Sequence, residues 1–203
     1  MATKSGGEGK HSFGSILLVI VLFGSLAIIA LVPVDVFQVL RAQEQKQLVR
    51  WLGSESDQWI MDRILDALDW INREAGAAME EASVSGNRKI DAWFINRIYA
   101  ATVWVHVIMY RFGMIMMWTA FALPCLLAAY LDGYFERQIA KASFKSQSPR
   151  LHKSGVDMAM IVTAALVAWV FAPVFVPVLV APIAIVALSF AWWIWIANLQ
   201  KRL

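Results

Sequence analysis

The chain has 203 residues, 60% of them hydrophobic and 16% charged, with a formal net charge of +3. That apolar share is high for a soluble domain and the charge is too small for a nucleic-acid footprint, so a soluble enzyme and a basic DNA-binding module are both disfavoured. A single cysteine, Cys125, excludes an intramolecular disulfide framework.

In chain order, residues 1–11 hold Lys4 and Lys10 and precede the uncharged stretch Ser12 to Val34. A helix needs roughly 20 apolar residues to cross a hydrocarbon core about 30 Å thick, so residues 12–34 are expected to be a first transmembrane helix. The stretch exceeds the apolar core of a signal peptide and lacks an A-x-A cleavage site, which points to an uncleaved anchor.

Residues 35–111 follow as a helical domain outside the membrane. Val36, Val39, Leu40 and Leu48 form a weak helical pattern that ends at Gly53. Ile60, Ile64, Leu68 and Ile71 then recur at spacings of four, four and three, with Asp62, Asp66, Asp69 and Arg73 on other faces, the pattern of an amphipathic helix of about 20 residues. Ser83 to Asn87 reads as a turn. From Arg88 a third helix carries Ile90, Trp93, Phe94 and Ile98 and is expected to run straight into the second span, residues 112–131.

Residues 132–157 are polar and charged and read as a loop. The uncharged stretch Met158 to Gln200 would reach about 65 Å as one helix, twice the core, and so must be two spans. Pro173, Pro177 and Pro182 favour a turn near its middle. The third helix is placed near Met158 to Ala172, within a segment 158–176 that includes the turn, and the fourth near Leu179 to Leu199, within 177–199. Residues 200–203 close the chain.

Lysine and arginine set the orientation. Lys4 and Lys10, then Arg137, Lys141, Lys145, Arg150 and Lys153, then Lys201 and Arg202 mark three segments as cytoplasmic, while the proline turn is uncharged. The reading is an all-α polytopic membrane protein with four spans, N-terminus and C-terminus inside. Trp104 and Tyr110 at the outer edge of the second span, Tyr130 and Tyr134 at its inner edge, and Trp192, Trp193 and Trp195 near the inner end of the fourth fit interfacial belts. Arg111, Arg150 and Lys153 are expected to reach lipid headgroups.

Motifs of chemistry are sparse. Gly6, Gly7, Gly9, Lys10 and Ser12 miss the spacing of a phosphate-binding loop. Asp62, Asp66 and Asp69 share a broad face that is more simply a solvated one. His11, His106 and His152 have no second histidine or cysteine at ligand spacing, so no metal, cofactor or catalytic residue is expected. Ionisable groups near the middle of the spans are missing, which argues against a self-sufficient pump. Trp51, Trp59, Trp70 and Trp93 either close a small local core, rest on the membrane or meet another protein; the candidate contact face is Trp59, Ile60, Ile64, Leu68 and Trp93.

After the second span the chain reads Asp132-Gly133-Tyr134-Phe135-Glu136-Arg137-Gln138-Ile139, then Lys141 to Lys145, Ser146, Ser148, Leu151, His152 and Lys153. This resembles the D-G-x-x-x-R-x-I element and the following serine-to-histidine stretch of an integral membrane protein family encoded by integrating conjugative elements and conjugative plasmids. Leu151 departs from that pattern, which has a tyrosine before the histidine. The resemblance implies an accessory inner-membrane component of a conjugative type IV secretion system, without catalytic activity, whose first partner to test is the coupling ATPase. Asp132, Gly133, Glu136, Arg137, Ile139, Lys141, Ser148 and His152 are then either a docking surface or a membrane-proximal helix end with a headgroup-binding arginine. Expected partners are membrane lipids, a coupling ATPase or other secretion subunit, and further copies of the chain in a homo-oligomer, with no sequence-specific nucleic-acid binding. The alternative reading is a small oligomeric carrier or channel subunit.

Overall fold

A computed structural model describes residues 13–82, 88–143 and 148–199. Lys4, Lys10, His11, the glycine-rich N-terminal run, the turn 83–87, Lys145, Ser146, Lys201 and Arg202 lie outside them. The described chain is all helical: α1 (Phe13–Leu31), α2 (Val34–Leu52), α3 (Ser54–Ala82), α4 (Arg88–Ala142), α5 (Pro149–Phe171) and α6 (Val180–Ala197). Four of these, α1, α4, α5 and α6, are long and apolar enough to cross a membrane by length and composition, a property of membrane proteins.

Boundaries follow local chemistry. Pro33 caps the start of α2, so α1 ends before the 34 expected for the first span. Gly53 ends α2 at φ 84°, a left-handed backbone that glycine adopts without penalty, and the chain reverses at once into α3. At 29 residues α3 is longer than its apolar repeat implied. The largest departure lies in 132–157. Here α4 continues unbroken to Ala142, and Ser148 accepts from the Leu151 amide to start α5 with Pro149 in its first turn, so most of the expected loop is helix.

The 55-residue α4 is the mast of the fold. Along its first half lie α2 and α3. One cluster joins Phe37 and Leu40 of α2 to Ala100, Trp104 and Val107 of α4. A second joins Leu48, Ile60, Ile64 and Leu68 to Tyr110, Met114 and Met117, and continues into Trp169, Val170, Val178 and Ala181. Full burial of each large apolar side chain here stabilises by about 1.5–3 kcal/mol. Trp104 and Tyr110 are therefore core residues at 3% and 0% exposure, a correction to their expected place in an interfacial belt.

Along the second half of α4 lies α6, which begins beside Met114 and Met117 and ends beside Gly133. α5 runs antiparallel to it. At Gly155 a Cβ would stand 2.7 Å from the Trp195 amide nitrogen, and at Gly133 it would stand 3.1 Å from the Trp193 carbonyl oxygen. Both glycines let backbones meet, as small residues do between apolar helices. By contrast α1 buries no side chain fully over residues 14–31, and its described contacts are gathered at its C-terminal end, where Ile28 and Ile29 meet the Phe37–Trp104 cluster.

Candidate functional site

Two polar constructions stand out, one at each end of the α4–α5–α6 bundle. The first is built on Arg111, fully buried together with Glu44. Glu44 belongs to the apolar stripe of α2, four residues after Leu40 and four before Leu48, and so points at α4. Arg111 Nε donates to both carboxylate oxygens at 3.0 and 3.1 Å and Nη2 to Oε1 at 2.6 Å. The rest of the guanidinium serves the end of α5: Nη1 donates to the Trp169 and Ala172 carbonyls, the latter at 2.6 Å, and Nη2 to the Val174 carbonyl at 2.8 Å. A planar cation with five N–H donors thus neutralises a buried carboxylate and takes carbonyls that a helix end leaves without an intrahelical partner. Burial pushes the Glu44 carboxyl above its ordinary range, and the hydrogen bonds and charge of Arg111 pull it back.

Around this pair the network is dense. Tyr110 donates to Asp57 at 2.7 Å, Gln45 donates to the same carboxylate at 2.6 Å, and Arg41 lies 3.6 Å over the Tyr110 ring. Gln47 accepts from the Val178 amide at 3.0 Å, which ties α2 to the turn before α6. Fourteen residues before Arg111, Arg97 repeats the device on α1: its Nη1 donates to the carbonyls of Ile29, Ala30 and Val32 at 3.2–3.3 Å. Two arginines of α4 thus close the C-termini of α1 and α5, which end on the same side of the bundle.

Arg111 as a headgroup ligand is overturned by its burial. The contact face over Ile60, Ile64 and Leu68 is likewise internal: these side chains are at 0%, 3% and 7% exposure against α4 and are closed to any partner. Trp59 is half-buried beside them with Arg63 stacked on its ring at 3.6 Å, and only Trp93, in edge contact with Phe94, is exposed.

The second construction is at the Asp-Gly end. Gly133 is buried against α6, and Asp132 accepts from Trp193 Nε1 at 2.7 Å. This half of the motif fastens α4 to α6. Past it α4 runs on to Ala142, beyond the end of α6 at Ala197. On that extension Phe135 and Ile139, four residues apart and hence on one face, are 57% and 61% exposed, and Glu136 beside them is exposed too. Arg137 and Lys141 are half-buried on another side, and so is His152 of α5. Ser148 is spent as the α5 cap, while Arg150 and Lys153 stand exposed on the first turns of α5.

Sequence reading missed Glu44, Arg97 and Gln47, and it placed Trp193 in an aromatic belt without its bond to Asp132. A signal for Glu44 was present: a carboxylate spaced at four from leucines on either side demands a buried cation. Residues 32–200 match the family described as DtrJ-like: IncC plasmid conjugative DNA transfer protein DtrJ-like. No curated protein matches the chain, and no solved structure does.

Proposed function

The chain belongs to the DtrJ-like family of conjugative DNA transfer proteins, and from that premise we propose that it is a non-enzymatic adaptor in the inner membrane of the donor cell, docking a coupling ATPase or another secretion subunit. In this reading α1, α4, α5 and α6 cross the bilayer, both termini are cytoplasmic, and α2, α3 and the first half of α4 stand in the periplasm. The basic residues of the α4–α5 connection, with Lys4, Lys10, Lys201 and Arg202, support that orientation.

The observation that carries the adaptor reading is the projecting end of α4. Once Asp132 and Gly133 are committed to α6, Phe135, Glu136 and Ile139 remain as an exposed face of mixed apolar and acidic character on a helix that outruns its neighbour. A helix of this kind presents anchors to a partner's groove.

The test is photo-crosslinking from positions 135 and 139 in mating donor cells. Capture of the coupling ATPase or a channel subunit supports docking at this face. Capture of lipid and of the chain itself alone overturns it.

A further inference from the structure

We propose that the cleft between the start of α3 and the middle of α4 binds a phospholipid whose headgroup ends in a primary ammonium. The cleft holds about 410 Å³ and is lined by Glu55, Ser56 and Trp59 from α3 and by Met117, Ala120 and Phe121 from α4. That volume lies in the range of small-molecule sites. Its two walls differ in kind. α3 supplies a carboxylate, a hydroxyl and an indole; α4 supplies apolar surface that continues outward through Phe121, 71% exposed. A ligand with a polar head and a long apolar tail matches that division, and neither a soluble ion nor a free hydrocarbon does.

The lining also selects the charge and hydrogen bonding of the head. Ser56 Oγ already donates to the Leu52 carbonyl at 3.1 Å, so what it offers the cleft is lone pairs. Asp57, the next residue, is committed to Tyr110 and Gln45 and faces away. The lining therefore presents one carboxylate and one hydroxyl acceptor, and none of its six residues is cationic, while Arg63 beside it lies over the Trp59 ring and donates to the Trp59 carbonyl. An ammonium with three N–H donors satisfies both acceptors and meets the Glu55 charge. A quaternary ammonium has no N–H to give, and an anionic headgroup without an amine brings no positive charge to Glu55.

Position agrees with a lipid. Met117 clusters with Ala181 at the start of α6, so in the spanning reading the cleft lies beside the end of α6 that faces the outer leaflet. The left-handed Gly53 turns the chain so that the first turn of α3 faces α4 at this level. This placement rests on the membrane-spanning reading given above.

The experiment extracts the full chain from vesicles of equal parts phosphatidylethanolamine, phosphatidylcholine and phosphatidylglycerol and counts retained lipids by native mass spectrometry, after an alkaline wash that keeps only integral proteins. Phosphatidylethanolamine is expected to be retained over the other two. Glu55→Gln, at an exposed position, lowers its ratio to phosphatidylcholine by about tenfold, the size of one charge-assisted hydrogen bond, and Ala120→Trp, which fills the cleft, abolishes the preference. Equal retention of the three lipids, or a preference unchanged in Glu55→Gln, overturns the site while the spanning reading stands. Release of the protein by the alkaline wash overturns the spanning reading, and this site with it.

Discussion

Arg111 holds Glu44 at 2.6 Å with both side chains fully removed from solvent, and with its remaining donors holds the carbonyls where α5 ends. One guanidinium therefore joins the α2–α3 pair to the apolar bundle. A buried ion pair is expensive to form, but it is more expensive to halve, since the survivor is left charged and unpaired.

Glu44→Ala and Arg111→Ala are each expected to cost about 3–5 kcal/mol of stability in detergent unfolding, and the double variant much less than their sum. Arg111→Lys does not restore stability, because a point charge cannot serve a carboxylate and several carbonyls at once. Additive single effects would show that the pair is not coupled.

At Gly155 the obstacle to a Cβ is backbone, the Trp195 amide at 2.7 Å and the Ala191 carbonyl at 3.1 Å, and backbone cannot swing aside. Gly155→Ala should lower stability by about 1–3 kcal/mol through overpacking. Gly24→Ala on α1, with nothing within 4 Å, should be neutral or raise it by up to about 1 kcal/mol. Equal effects at the two sites would mean that the α5–α6 contact is looser than described.

Arg97 is the main polar tie of α1 to the rest of the molecule. Removing it in Arg97→Ala should raise hydrogen exchange in the last turn of α1 by about five- to tenfold, in line with about 1 kcal/mol for a cation at a helix C-terminus. Exchange at the end of α5, held by Arg111, should not change.

Orientation is checked by cysteine labelling in a Cys125→Ser background. With an impermeant maleimide, Ser54→Cys should react in intact spheroplasts and Ser143→Cys only after lysis. The reverse pattern would invert the protein in the membrane and remove the case for a cytoplasmic α4 end.

For the adaptor role, Phe135→Asp with Ile139→Asp should lower conjugative transfer by tenfold or more at unchanged protein level in the membrane. Charge reversal at Arg137 and Lys141 should lower it less, since both are half-buried and their exposed area is smaller. Transfer unaffected by both pairs would sink docking through this helix end.

Apolar length and periodicity made the all-helical class and the long apolar helices legible. Apolar length specifies which helices can span a bilayer, because the cost of burying an unpaired backbone or charge in hydrocarbon is large for any such chain. The repeat of Ile60, Ile64 and Leu68 specified one buried face of α3, but a local pattern is silent on what covers it; the tertiary structure assigns it to Met114 and Met117 of α4 and so withdraws it from partners. The same holds at the Asp-Gly motif. Its residues were conspicuous, yet only the approach of α6 to Gly133 and of Trp193 to Asp132 separates the part that holds helices together from the part that faces outward.

Charge was the hardest feature to read, for a physical reason. Arg111 at the end of an apolar run has the same sequence signature whether it snorkels to headgroups or closes a buried pair, because the choice depends on a carboxylate 67 positions away and on where α5 stops. Composition and spacing determined that this protein is helical and has long apolar helices. Tertiary packing decided which of its polar residues are consumed within the fold and which are left to act on something else.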